Sequence, residues 1–150
     1  MKKLLILLLT AALAYAGPAA VDVYSAHDLE GQGQKLANKQ TQFASQEFAR
    51  YGNHYTMLAV RNRTGSSEVH QHEADIFIIE SGAATLISGG EMVNPRTTKP
   101  GEIRGSSITG GDRRAVGAGD IIHIPAGTPH QLLVESGKPI VYFVVKVKDQ

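Results

Sequence analysis

The alternation of apolar and polar positions divides the chain into three stretches. In the first, Lys2-Lys3 precedes an apolar run over 4–9 that continues through 11–13 and closes on Ala14-Tyr15-Ala16, followed by Gly17-Pro18. A basic start, a short apolar core and small residues at the cleavage point form the pattern of a secretory signal peptide. The run is shorter than the roughly 20 apolar residues that cross a bilayer. Residues 1–16 are therefore predicted to be a removable leader. The mature protein is expected to be exported, periplasmic or secreted, with no membrane anchor after cleavage.

The second stretch, 17–54, reads as a linker and a helix. Ser25 is placed to cap a helix whose first turn holds Asp28, and Leu29, Leu36 and Phe43 recur every seven residues. Gly31 and Gly33 weaken that stripe, so one modest helix is predicted within 26–48.

From Tyr55 the period shortens to two. Strands are predicted over 55–60, 68–72, 75–79, 83–88, 115–116, 121–124, 131–135 and 140–147, separated by Gly-rich turns. Many short strands at regular spacing argue for an all-β sandwich or barrel over 55–150. The last strand has one wholly apolar face, formed by Val141, Phe143, Val145 and Val147, which places it deep in a sheet. Residues 89–114 stand apart. They hold six glycines, Pro95, Pro100 and five basic residues without strong periodicity, and read as a functional loop or a disordered excursion.

Composition narrows the chemistry. The 150 residues contain no cysteine, which excludes disulfides, thiolate nucleophiles, cysteine-ligated zinc and iron–sulfur clusters. The formal charge is +1, from 15 Lys+Arg and 14 Asp+Glu; without Lys2 and Lys3 it is 13 against 14. A near-neutral chain carries no electrostatic footprint for nucleic acid. No nucleophile elbow, phosphate-binding loop or dinucleotide fingerprint occurs. Six histidines are then the main source of metal-binding nitrogen.

Two segments concentrate that potential. Residues two apart on a strand share a face, so Glu68, His70 and His72 are expected to project together. The segment 119–130 reads as a strand, a Pro-Gly turn at Pro125 and Gly127, and then His130 opening the next strand. His123 is either a base near the site or a polar residue on the outer face. Arg104, with Arg113 or Arg114, could clamp an anionic substrate if loop 89–114 folds over the barrel mouth. Glu68 could orient a ligand or act as an acid–base group. His27 and His54 fall outside both segments and are assigned no role.

The two segments resemble the two motifs of the cupin superfamily, specifically its small single-domain, cupin-2-like barrels. Gly119, Pro125, Gly127 and His130 match the second motif, although its usual final Asn is Val134 here. His70, His72 and the closing Gly82 match the first. Its acidic position, seven residues before that glycine, is Asp75, which lies closer to His72 than the usual interval of three or four residues. The resemblance implies a single cupin jelly-roll β-barrel with a short N-terminal helix. It also implies one divalent transition metal, with iron or manganese preferred and zinc or nickel as the other candidates. The implied ligands are His70, His72, Asp75 and His130, with Glu73 and Glu68 as alternative sources of the carboxylate. The implied function is that of a metal-dependent enzyme of oxygenase or isomerase/lyase type acting on a small oxygenated molecule. A non-catalytic small-ligand binding or sensory module is the alternative. Such barrels commonly pair, so a homodimer is a further expectation.

Overall fold

The computed structural model describes residues 21–149, so the leader lies outside the described residues. The chain begins with helix α1 (Ala26–Ala37), capped by the Ser25 hydroxyl, which accepts a hydrogen bond from the Asp28 N–H. Thirteen strands follow. The first five are β1 (Phe43–Arg50), β2 (His54–Arg61), β3 (Ser67–His70), β4 (Glu73–Ser81) and β5 (Ala83–Ser88). Then come β6 (Glu91–Val93), β7 (Arg96–Lys99), β8 (Glu102–Gly105), β9 (Ser107–Thr109) and β10 (Asp112–Gly117). The last three are β11 (Ile121–Ile124), β12 (His130–Leu133) and β13 (Ile140–Lys148).

The strands form two facing antiparallel sheets, in the orders β1-β2-β13-β4-β11 and β10-β5-β12-β3-β8-β7, with a small β6-β9 ribbon beside them. This is a single jelly-roll barrel, all-β apart from its short helix. Two apolar clusters hold it together. Between the sheets lie Ala59, Phe77, Ile79, Leu86, Leu132 and Tyr142 with their neighbours. On the outer face of the five-stranded sheet, Leu29 and Leu36 of α1 pack on Leu58, Val60 and Val141.

β13 occupies the centre of its sheet and is buried on both faces for this reason. Val141 and Phe143 point to the helix, whereas Ile140, Tyr142 and Val144 point into the barrel. The inward row ends at Lys146, which is also buried. Strand β4 follows the same rule, with Ile79 and Phe77 inward and apolar and Asp75 inward and charged. Apolar residues thus fill the barrel along most of its length, and ionisable ones collect at one end.

Two stretches depart from the sequence pattern. The helix stops at Ala37, and the remainder of the expected helical stretch supplies β1, an edge strand antiparallel to β2. Phe43, third residue of the heptad stripe, opens that strand. Residues 89–114 are neither an open loop nor an excursion but contain four strands and the start of β10. These strands are short and bury few apolar residues, so they lack the apolar alternation by which strands are recognised.

Gly82, at the β4–β5 turn, has φ +80°, and a Cβ there would stand 2.1 Å from the Pro139 carbonyl oxygen. Gly89 has φ +72° but open space around it. Gly89→Ala should cost about 1 kcal/mol, the left-handed penalty alone. Gly82→Ala should cost at least about 2 kcal/mol because backbone must move as well. Denaturant unfolding of both variants tests the difference; equal losses would refute the steric account.

Candidate metal centre

The charged end of the barrel is built by strand register. His130 on β12 stands opposite Glu68 on β3, and Glu68 in turn stands opposite Arg104 on β8. His70 is opposite Glu102, and Lys146 on β13 is opposite Asp75 on β4. The two segments that cross between sheets, after β3 and after β11, meet here. The Gly127 N–H donates to the His70 carbonyl at 2.7 Å, which locks the Pro-Gly turn against the end of β3. Gly127 has φ +76°, as that turn demands.

Four buried donor atoms converge. His70 Nε2 lies 3.4 Å from Glu68 Oε2 and 3.6 Å from Asp75 Oδ2. His130 Nε2 lies 3.5 Å from Asp75 Oδ2 and 4.0 Å from Glu68 Oε2. Both Nε2 atoms and Asp75 Oδ2 lack a hydrogen-bond partner. These separations exceed the roughly 3.2 Å limit of a good N–H···O bond. They are close to the donor–donor edge of about 3.4 Å that bonds of about 2.1 Å subtend at tetrahedral angles. Glu68, His70 and His130 form a cluster able to hold a metal ion, and Asp75 Oδ2, outside that group, lies within 3.6 Å of both imidazole nitrogens.

The surroundings prepare these donors. His130 Nδ1 lies 3.0 Å from the Thr128 carbonyl, to which its N–H donates, leaving the Nε2 lone pair directed at the cluster. Burial holds the His130 pKa below its ordinary 6.5 despite the Glu68 charge, so the ring is neutral. Burial pushes the Glu68 carboxyl up, but the adjoining His70 ring and the Arg61 and Arg104 guanidiniums outweigh it and bring it well below the usual range. Arg61 pairs with Glu68 and also donates to the Tyr142 hydroxyl at 3.1 Å. Lys146 Nζ is 2.5 Å from Asp75 Oδ1, which leaves Oδ2 facing the histidines.

His72 is not among the converging groups. β3 ends at His70, and Gln71-His72 form the bend by which the chain leaves one sheet for the other, so the two-residue period breaks at that point. His72 is exposed and borders an outer hollow with Arg50, Lys99, Gly101 and Lys148. Glu73 lines the cavity, 3.4 Å from the Tyr55 hydroxyl. His123 is exposed on the outer side of β11, whose Ile122 and Ile124 pack on the core. Arg104 does reach the site, where it pairs with Glu68 and, at 2.8 Å, with Glu102; Arg113 and Arg114 are exposed on β10.

The placement of Glu68 was readable in the spacing. Counting back from Asp75 across four intervening residues gives His70, and two further back gives Glu68. Glu68-Val69-His70 thus occupies the slots of the first motif's His-x-His. Nothing in the pattern of β13 singles out Lys146, because an apolar residue occupies every other position over 140–147 on either face.

No protein-family model matches the sequence, and no curated protein is significantly similar to it. Solved structures do match. An uncharacterized conserved protein with a double-stranded beta-helix domain from Klebsiella pneumoniae aligns at a TM-score of 0.57 and 14% identity, over 87% of this chain and 93% of that one. A cupin 2 conserved barrel domain protein from Salinispora arenicola aligns at 0.50 and 22% identity, over 71% and 76%. The chain has the cupin fold. The DMSP lyase DddQ from Ruegeria pomeroyi shares this cupin barrel at 0.51 and 18% identity, over 75% of this chain and 50% of that one. At such identities the likeness is one of fold.

If the donors are Glu68, His70, Asp75 and His130, His72→Ala should bind Mn²⁺ as the wild type does. His130→Ala should lose at least about tenfold in affinity. Calorimetric titration of both variants decides, and loss of binding in His72→Ala would overturn the assignment. Acid stability gives a second test. Burial pushes the Glu102 carboxyl up, but Arg104 and Lys99 bring it from 4.5 to about 2. The unfolded chain therefore binds this proton first, and the stabilisation is complete above pH 4.5 and lost as pH falls toward 2. Glu102→Gln should flatten the pH dependence of unfolding in that window and leave it unchanged above pH 6.

Proposed function

We propose that this cupin holds one divalent transition metal through Glu68, His70, Asp75 and His130 and acts as an exported enzyme on a small oxygenated molecule. The observation that carries the reading is the buried Glu68, His70 and His130 cluster, with Asp75 Oδ2 beside both imidazoles at separations that exceed good hydrogen bonds. Two carboxylates and two imidazoles favour iron or manganese, with zinc and nickel as the other candidates. When bound, such an ion supplies Lewis acidity toward carbonyl or enediol oxygens, and iron adds dioxygen chemistry.

The chain's own groups define the rest. A cavity of about 160 Å³ adjoins the donors. Met57, Ala59, Phe77 and Val144 form its apolar wall. Tyr55, whose phenol is pushed up to about 12 by burial and then by Glu73, keeps its proton and faces the same space as a hydrogen-bond donor. Lys146 Nζ stands on the opposite flank of Asp75 from the histidines. Tyr55 and Lys146, which line the same cavity, suit proton-transfer chemistry of the isomerase or lyase kind. The DMSP lyase from Ruegeria pomeroyi is a lyase on the same fold.

One observation favours a second reading. Arg61 and Arg104 already neutralise Glu68, and Lys146 neutralises Asp75, so the cluster is electrically satisfied with no ion. A barrel that binds a small ligand without turnover would look the same.

Protein purified from the exported fraction, without chelator or a His-tag, separates the readings. Elemental analysis should find iron or manganese near one equivalent per chain, and N-terminal sequencing should begin at Gly17. Absence of metal, with no uptake when metals are offered, would leave only the binding module. An intact Met1 would remove the export reading.

A further inference from the structure

The charges that line the cavity balance. Glu68 is met by Arg61 and Arg104, Asp75 by Lys146, and Glu102 by Lys99. Glu73 is the remaining carboxylate on the wall. Four cations thus face four carboxylates among the described residues, and the formal sum is zero. A divalent ion on the donor cluster brings two positive charges into a space four of whose eight charged wall residues, Arg61, Glu68, Asp75 and Lys146, are buried. An uncompensated charge in such surroundings is costly.

We infer that the metal-loaded cavity takes a compact dianion, such as a dicarboxylate or the enolate of a 2-oxo acid, as its ligand. The inference rests on the metal reading above and goes beyond it by naming the ligand's charge and size. Its size follows from the cavity of about 160 Å³. A cavity of about 150 Å³ holds one benzene-sized molecule, roughly six heavy atoms. Its route follows from the outer hollow of about 330 Å³, which shares Tyr55, His70, Glu73, Lys99 and Glu102 with the cavity. That hollow adds Arg50, His72 and Lys148 to the rim, Arg50 being paired with Glu47, so its basic residues outnumber the carboxylates Glu73 and Glu102 that also line it. Lys99 belongs to both spaces and is 69% exposed, so it can follow the ligand inward while keeping its contact with Glu102.

The probes are malonate, a dianion of seven heavy atoms, and malonamate, a monoanion of the same size. Each is titrated calorimetrically into Mn²⁺-loaded and metal-free wild-type protein at one neutral pH. The loaded protein should prefer malonate at least tenfold beyond the preference that aqueous Mn²⁺ itself shows, and the metal-free protein should bind neither. The exposed variant Lys99→Gln should keep its Mn²⁺ affinity and bind malonate about fivefold more weakly, having lost one cation of the surplus. If Mn²⁺ binds but the two anions bind alike, the dianion proposal fails and the metal reading stands. If Mn²⁺ does not bind, both fall. Tighter malonate binding to the metal-free protein would overturn the charge argument outright.

Discussion

Most ionised side chains at the end of the barrel are held across a strand from a group of opposite charge or from a hydrogen-bonding ring; Arg61, flanked by Phe43 and Ile140, reaches Glu68 from the facing sheet. Lys146 faces Asp75, Arg104 faces Glu68, and Glu68 also faces His130. Removing an ion from water costs several kcal/mol, and register is the means by which this fold offsets that cost. A one-residue slip of β13 would point Lys146 at the helix and leave Asp75 buried without its cation. Chemistry and stability are therefore coupled through strand pairing, although they occupy different ends of the barrel.

The same coupling explains why the two motif segments differed in legibility. The segment 119–130 carries its geometry locally. Pro125 ends a strand, Gly127 supplies a left-handed turn, and the Thr128 carbonyl orients His130, all within a few residues. The segment 68–75 does not. Whether His72 joins His70 depends on where β3 stops, and that is decided by the crossing from one sheet to the other, a tertiary event. Periodicity alone carried the strand two residues too far, whereas the interval back from Asp75 held the necessary information.

Elsewhere legibility followed the apolar signal. The core strands β2, β4, β5 and β13 were visible because they fill the barrel. β1 and β6 to β9 were not, since they bury few apolar residues and their pairing is fixed by contacts the local pattern does not show. Lys146 was hidden for the opposite reason. Helix α1 at Val141 and the Tyr24 and Phe48 rings at Phe143 cover the outer face of β13, so both faces of that strand are apolar and the inward one is not distinguished by pattern.

The Lys146–Asp75 pair also bears on the order of events in the life of the molecule. A lone carboxylate at that depth would make folding wait for a cation to arrive. With a lysine on the neighbouring strand, the counterion is built into the chain and comes into place with the sheet itself. If the proposed site is loaded, the barrel can close first and take up the ion afterwards. The ion would then be an exchangeable guest of a finished scaffold rather than one of its structural parts.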